Sequence, residues 1–210
     1  QTKLKNTDDL SNYTESLNNK FPEMFHRGFK KINITMRKDI NGNTDMNGTI
    51  NLKKDIVDNI IGGINNINNK IPTTFDQERA FGTFYHEILH NSNKKGIHYT
   101  RPLTPTEVRY MELANEFVAR KTLPDFMIKM GGKLNNEILT SDRQNTGYNT
   151  MVRNFDRLIQ FLDADEKKVL TDVKKHLIEE DYKTQQKGLK NAISKNSAYK
   201  LKSDTYDSLL

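Results

Sequence analysis

The sequence contains no cysteine in 210 residues. This absence excludes a disulfide scaffold, a thiolate zinc site, an iron–sulfur cluster and a cysteine nucleophile. Long apolar stretches are also missing: hydrophobic residues make up 34% of the chain, and no run approaches the roughly 20 residues of a membrane span. The length suffices for one domain with a buried core, in which any metal ligands must be histidines or carboxylates.

The two ends of the chain carry further compositional signals. The first 25 residues lack the apolar core of a signal peptide, so we expect a cytoplasmic protein with no membrane partner. The sequence starts at Gln1 without an initiating Met, as expected of a piece trimmed from a longer protein. Residues 184–203 contain five lysines and no acid. We interpret them as a solvated face, with nucleic-acid binding as the less favoured alternative.

The first third of the sequence predicts a helix and a small sheet. Residues from Thr7 onward place apolar side chains at helical spacing, with acids in the first turn. Ile32, Ile34 and Met36 alternate with polar residues, which predicts a strand with one buried face. Residues 49–53 predict a second short strand, antiparallel to the first.

The rest of the chain is predicted to be helical. Isoleucines at helical spacing predict a helix over residues 55–67, although an internal Gly-Gly pair weakens it. Two helices with capping-box signals follow at about 74–91 and 105–123. Residues 148–198 contain apolar stripes of two or three amphipathic helices. The fold class predicted from this order is α+β, with a small antiparallel or mixed sheet followed by helices.

The segment from His86 to His90 carries the H-E-x-x-H motif. Residues four apart lie on one face of a helix, so both imidazoles can bind the same metal ion. Glu87 is rotated by about 100° from His86 and can reach a water molecule at the metal as a general base. This pattern is typical of zinc peptidases. The alternative is a helix whose two histidines are exposed or hydrogen-bonded without a metal.

A catalytic zinc site needs a third protein ligand and a position for water. Glu112 lies on the next predicted helix, 22 positions after His90, and is the favoured candidate. Glu116 follows one turn later and would accept a hydrogen bond from a ligand histidine, fixing its tautomer. His98 is the second candidate, but it comes eight positions after His90, two more than the metzincin motif H-E-x-x-H-x-x-G-x-x-H requires.

The combination of H-E-x-x-H with a downstream Glu resembles the zincin metallopeptidases of the gluzincin type. In that family a later helix carries Glu-x-x-x-Asp, in which the Glu binds zinc and the Asp orients a ligand histidine. Here the corresponding pair is Glu112 and Glu116, so the orienting acid is longer by one methylene. The resemblance implies Zn²⁺ as the cofactor and a protein or peptide as the substrate.

The second of these helices is also similar to smaller zincins of bacteria and their mobile elements. Residues 112–119 followed by Leu123-Pro124 resemble the segment E-x-x-A-N-x-F-A ending in L-x-P of ImmA/IrrE-type proteins, with the first Ala one residue early. Residues 110–119 are similar to the metallopeptidase domain of ArdC-like antirestriction and phage polyvalent proteins. The likeness, over about residues 45–125, implies a zincin-like core at 1–125, its sheet packed on the active-site helix, and a helical subdomain at 126–210.

The zincin resemblance also implies where a substrate would bind. Zincins place an edge strand above the active-site helix, and the strand at 49–53 would take that position. Its backbone would then bind an extended substrate; a simple core strand is the alternative. The predicted substrate-binding residues are Thr49, Ile50 and Asn51. The candidate oxyanion donors, and hence further catalytic residues, are Tyr148, His98 and Tyr110.

Three functions therefore compete at this stage. The first is a zinc-dependent endopeptidase with Glu87 as its general base. The second is a non-catalytic zincin-fold module that binds a partner, against which the intact Glu87 argues. The third is a DNA-associated accessory protein of a phage or mobile element, supported only by the lysine-rich residues 184–203.

Overall fold

The computed structural model describes residues 2–95, 101–143 and 147–210, and these residues form an α+β fold. The predicted fold class is therefore confirmed. The first helix, α1, spans Thr7–Lys20. Its N-terminus is capped by the side chain of Asn6, which accepts a hydrogen bond of 2.9 Å from the amide of Asp9. The predicted start at Thr7 is correct.

The sheet has three strands: β1 (Lys31–Ile34), β2 (Gly42–Thr44) and β3 (Thr49–Leu52). Their spatial order is β1-β3-β2; β1 runs parallel to β3 and β2 antiparallel to it. The prediction that the strand at 49–53 is antiparallel to the first strand is therefore wrong. The missed strand β2 lies between them in sequence and forms the hairpin with β3, which turns the chain back parallel to β1.

The predicted buried face of the first strand is confirmed only at Ile32. Ile32 is 4% exposed, whereas Ile34 is 40% and Met36 90% exposed. The strand ends at Ile34, so the alternation of side chains no longer applies at Met36. Of the three apolar residues in the predicted strand, Ile32 is therefore buried, and Ile34 and Met36 are exposed to solvent.

Two long helices follow the sheet: α2 (Lys54–Asn68) and α3 (Phe75–Ser92). The two helices pack closely, which explains why α2 contains a glycine although glycine weakens a helix. A Cβ at Gly63 would lie 2.5 Å from the ring of Phe81. Both predicted helices are confirmed. At the start of α3 the hydroxyl of Thr74 accepts from the amide of Gln77, and the Gln77 side chain accepts from the amide of Thr74, as in a capping box.

The described chain divides into two compact units. The first comprises Gln1–Ser92 and Thr122–Arg143 and contains α1 to α3, the sheet and a short helix, α5 (Leu123–Lys129). In it α3 is central: it packs against α2, β2 and α5, and the ring of Tyr85 stacks on that of Phe126 with centroids 4.4 Å apart.

The second unit comprises Asn93–Lys121 and Gln144–Leu210 and is helical in its described residues. Its helices are α4 (Pro105–Lys121), α6 (Asn149–Phe161), α7 (Glu166–Glu179), α8 (Gln185–Lys195) and α9 (Ser203–Leu209). Within this unit α4 packs on α6, α7 and α8. The helices predicted at 105–123 and within 148–198 are confirmed, and α4 ends at Lys121. The division of roles at residue 125 stays a prediction.

Across residues 2–95, 101–143 and 147–210, no helix is both long and apolar enough to cross a bilayer.

Candidate metal centre

Helix α3 brings its two motif histidines together. The Nε2 atoms of His86 and His90 are 3.2 Å apart, and their rings meet edge to face at 82° with centroids 4.9 Å apart. Both side chains are buried, at 6% and 8% exposure. The four-residue spacing places them one turn apart on one face, as the sequence predicts. Two ring nitrogens this close can bind one ion.

A carboxylate completes a group of three potential ligands. One oxygen of Glu112, which is half-buried on α4, and one nitrogen from each of His86 and His90 all lie within 4.8 Å of one another. The structure therefore brings together the three residues predicted as metal ligands. This His/His/Glu group could hold a metal ion.

Glu87, the predicted general base, is buried beside the strand β2. It is 4% exposed, and the hydroxyl of Thr44 lies 2.7 Å from its Oε2 and 2.9 Å from its backbone oxygen. Neighbouring Gly42 is also close, because a Cβ there would lie 3.3 Å from Cγ of Glu87. Neither residue was predicted as part of the site, since this segment carries a turn signal and too short an alternation to predict a strand.

The end of α3 is held by contacts that the sequence did not indicate. The guanidinium of Arg27 donates a hydrogen bond to the backbone oxygen of His90. The amide of Arg27 donates to the backbone oxygen of Asn91 at 3.0 Å. Carbonyls in the last turn of a helix lack intrahelical partners, so Arg27 satisfies two acceptors next to a potential ligand. Its signal is absent from the sequence because it lies 63 residues from His90.

A second anchor of α3 lies one residue before the motif. The hydroxyl of Tyr85 is 2.8 Å from that of Thr122, and the side chain is buried. Burial raises the pKa of Tyr85 to about 12, so the phenol stays neutral at physiological pH. Tyr85 thus acts as a packing and hydrogen-bonding residue within the first unit.

Glu116, predicted to orient a ligand histidine, lies in a buried ion pair on α4. Its Oε1 accepts from Nε of Arg120 at 2.8 Å, and both side chains are almost fully buried. Nη1 of Arg120 donates in turn to Oδ1 of Asn149 at 2.7 Å. The ion pair gives Glu116 a role in fixing α4 beside α6, and its orienting role toward a histidine stays a prediction.

The predicted substrate strand is not an edge strand. β3 lies between β1 and β2, so the backbone groups of Thr49, Ile50 and Asn51 face a paired strand on each side. An added peptide strand cannot pair with them, and the side chains of Thr49 and Ile50 are buried. This part of the prediction is wrong, because the missed strand β2 occupies the position at the edge.

The predicted oxyanion donors have different locations. Tyr148 is half-buried in the turn before α6, and its backbone oxygen accepts from the amide of Val152 at 3.1 Å. Tyr110 is buried in α4. His98 lies outside the described residues. The oxyanion role stays a prediction for all three.

The chain was also compared with known proteins. No family model matches it, and neither curated proteins nor solved structures gave a match. The assignment of a function therefore depends on the chemistry of the candidate site.

Proposed function

We propose that this protein is a zincin-like, zinc-dependent endopeptidase. In this proposal His86, His90 and Glu112 bind zinc, and Glu87 is the general base. The observation that carries it is the approach of the three ligand atoms to within 4.8 Å, next to a buried carboxylate in the H-E-x-x-H arrangement.

The donor set fits a catalytic zinc ion. Zinc binds imidazole nitrogen at about 2.0–2.1 Å in tetrahedral geometry, which puts two bound nitrogens about 3.3 Å apart. The separation of 3.2 Å between the two Nε2 atoms agrees with that value. Two histidines and one carboxylate also leave a fourth position for water or substrate, as in thermolysin-like sites.

The roles in peptide hydrolysis follow from the chemistry of each group. A zinc ion bound here would act as a Lewis acid on the scissile carbonyl and would make a water molecule more acidic. The carboxylate of Glu87 accepts the proton of the attacking water and returns it to the leaving amine. Burial keeps the carboxylate of Glu87 apart from bulk water. In this less polar environment its charge interacts more strongly with the reacting groups than it would in water.

The edge of β2 is the position at which an extended peptide can bind. In an antiparallel pair, alternate residues direct their amide and carbonyl groups toward the partner strand. Asn41 and Asp45 make such bonds to β3, with Lys53 N donating to Asn41 O at 3.1 Å and Asp45 N donating to Thr49 O at 2.8 Å. Gly42 and Thr44 therefore direct theirs to the outer edge, beside Glu87, where a substrate strand would pair.

The proposal is tested by separating metal binding from catalysis. Wild type and Glu87→Gln are purified, loaded with zinc, analysed for metal, and incubated with fluorescein-labelled casein. We expect about one zinc per chain in both proteins and cleavage only by wild type, because the amide cannot accept the proton. Zinc-loaded wild type that leaves casein intact, or Glu87→Gln that cleaves at the wild-type rate, would contradict the peptidase function.

The two other functions have less support from the described residues. A partner-binding module without catalysis does not require a carboxylate at position 87. The accessory role on DNA relies on lysines near α8, and Nζ of Lys190 is engaged by Asp207 at 2.9 Å while Nζ of Lys200 donates to the backbone oxygen of Ser194. The ion pair offsets the charge of Lys190, and the bond to the carbonyl occupies one donor of Lys200 that a phosphate would need.

A further inference from the structure

The strand β2 presents alternate side chains to the two faces of the sheet. Asn43 lies on the face away from α3, where its Oδ1 accepts from Nδ2 of Asn51 at 2.7 Å. Gly42 and Thr44 lie on the opposite face, toward Glu87. Gly42 and the hydroxyl of Thr44 therefore form the part of the sheet surface that contacts the Glu87 side chain.

The hydroxyl of Thr44 is the hydrogen-bond partner of the Glu87 carboxylate within the described residues. It is within reach of two acceptors of Glu87, the Oε2 atom at 2.7 Å and the backbone oxygen at 2.9 Å. A hydroxyl donates one proton, and it favours the nearer, charged oxygen because charge-assisted hydrogen bonds are the stronger ones. This bond fixes Oε2 and leaves Oε1 to accept a proton.

Gly42 keeps room for that orientation. A Cβ at this position would lie 2.8 Å from Cδ2 of Leu52, 3.1 Å from the backbone oxygen of Asn51 and 3.3 Å from Cγ of Glu87. A larger residue at position 42 would therefore displace either the neighbouring strand or the Glu87 side chain. The absence of a side chain at Gly42 therefore leaves space for Glu87 in the orientation in which its Oε2 accepts from the Thr44 hydroxyl.

We propose that Thr44 is a positioning residue for the general base Glu87, an inference that rests on the proposed peptidase function. Its hydroxyl holds the carboxylate in the orientation from which Oε1 accepts the proton of the attacking water. A general base must be aligned within hydrogen-bond reach of that proton, so its misorientation lowers the rate of the chemical step rather than substrate binding. Thr44 does not touch the reacting atoms in this role.

The role of the Thr44 hydroxyl is tested by removing it without changing the shape of the side chain. Thr44→Val keeps the branched side chain and loses the donor, and we expect kcat to fall about 10-fold while KM stays within about 2-fold. Thr44→Ser retains the donor, and we expect its kcat to stay within about 3-fold of wild type. Both variants should bind one zinc per chain, because Thr44 is not a ligand.

The experiment compares zinc-loaded wild type, Thr44→Val, Thr44→Ser and Glu87→Gln over a range of labelled casein concentrations. Thr35→Val is the matched control, since Thr35 is half-buried, lies beyond the end of β1, and its hydroxyl accepts from the amide of Arg37. Thermal unfolding and metal analysis are recorded for each protein. If Thr44→Val does not fold, Thr44→Ala replaces it, because it also lacks the donor and is smaller.

Each outcome separates the two proposals. Loss of kcat in Thr44→Val with recovery in Thr44→Ser, and a Thr35→Val control equal to wild type, supports the role of Thr44. Cleavage by Thr44→Val or Thr44→Ala at the wild-type rate, while Glu87→Gln is inactive, overturns that role and leaves the peptidase function intact. Equal losses in Thr44→Val and Thr44→Ser also overturn it. Zinc-loaded wild type without activity, or an active Glu87→Gln, overturns the peptidase function and the Thr44 role with it.

Discussion

The Nε2 atoms of His86 and His90 lie 3.2 Å apart on a buried face of one helix. Two imidazole nitrogens bound to one tetrahedral zinc ion are about 3.3 Å apart, so this separation fits two ligands of a single ion. Together with Glu112, the pair could hold a metal ion.

The first prediction concerns the metal itself. His90→Ala removes one of the three proposed ligands, and we expect zinc affinity to fall at least about 100-fold. Zinc content after dialysis, measured by mass spectrometry, should be about one per chain in wild type. Wild type should gain about 2.7 kcal/mol of unfolding free energy at a zinc concentration 100 times its Kd, and His90→Ala should gain far less at the same concentration.

The control for this experiment is another histidine of the same unit. His26 is exposed, so His26→Ala should bind and respond to zinc like wild type. Equal zinc content in His90→Ala and His26→Ala would show that the motif histidines do not bind the metal.

The site residues whose arrangement depends on local spacing were predicted from the sequence. His86, Glu87 and His90 lie within one helix, so their arrangement follows from helical geometry alone. Glu112 was predicted from its own helix and from the resemblance to gluzincins. Thr44 and Arg27 were missed, because they reach α3 from positions 43 and 63 residues away, and nothing in their local sequence indicates the contact.

The second prediction concerns the buried ion pair of Glu116 and Arg120. Arg120→Met removes the guanidinium 2.8 Å from Oε1 of Glu116 and leaves a buried carboxylate without that counter-charge. We expect the free energy of unfolding to fall by about 3–5 kcal/mol, as measured by urea denaturation. Arg157→Met, an exposed arginine on α6, should change it by less than about 0.5 kcal/mol.

A double variant tests the cause of that loss. Glu116→Gln combined with Arg120→Met removes the charge as well as its partner, so it should be more stable than Arg120→Met alone. If the double variant is less stable by the sum of the two single effects, the ion pair is not the source of the stabilisation.

The third prediction concerns a buried carboxylate at the start of α3. Glu78 is fully buried and accepts hydrogen bonds from the hydroxyl of Thr73 at 2.6 Å and from the amides of Asn135 and Asn136 at 2.9 and 2.8 Å. Glu78→Gln places an amide donor opposite these donors. We expect a loss of about 3 kcal/mol in unfolding free energy, since buried hydrogen bonds to a charged group are strong.

Chemical denaturation of Glu78→Gln and Glu137→Gln provides the comparison. Glu137 is exposed on the segment that follows Asn136, so its replacement should cost less than about 0.5 kcal/mol. Similar stability of the two variants would mean that the contacts of Glu78 do not hold residues 135–136 to the start of α3.

The fold shows the same limit of sequence reasoning. Helices with strong apolar periodicity and capping residues were predicted, including both capping boxes. At α4 the hydroxyl of Thr104 accepts from the amide of Glu107 at 3.2 Å, and the Glu107 carboxylate accepts from the amide of Thr104 at 2.8 Å. Strand order was not predicted correctly, because the pairing of β2 and β3 depends on a three-residue strand too short for alternation to indicate.

The fourth prediction concerns the pH dependence of stability in the second unit. His176 on α7 is half-buried, and its Nε2 is 3.0 Å from the backbone oxygen of Thr184. Desolvation lowers the pKa of His176 below its ordinary value of 6.5, while the bond to Thr184 and the charge of Glu180 oppose that shift. The folded state therefore binds fewer protons than the unfolded state between the two pKa values.

The sign of the effect follows from this difference. Because the unfolded state binds more protons, the contribution of His176 to stability falls as the pH is lowered through 6.5 and is fully restored above it. We expect wild type to lose more unfolding free energy than His176→Asn between pH 7.5 and pH 5, by less than about 1 kcal/mol, since solvent screens a half-buried group. Urea denaturation at the two pH values measures this difference. An equal or smaller loss in wild type would show that the folded environment does not disfavour the imidazolium of His176.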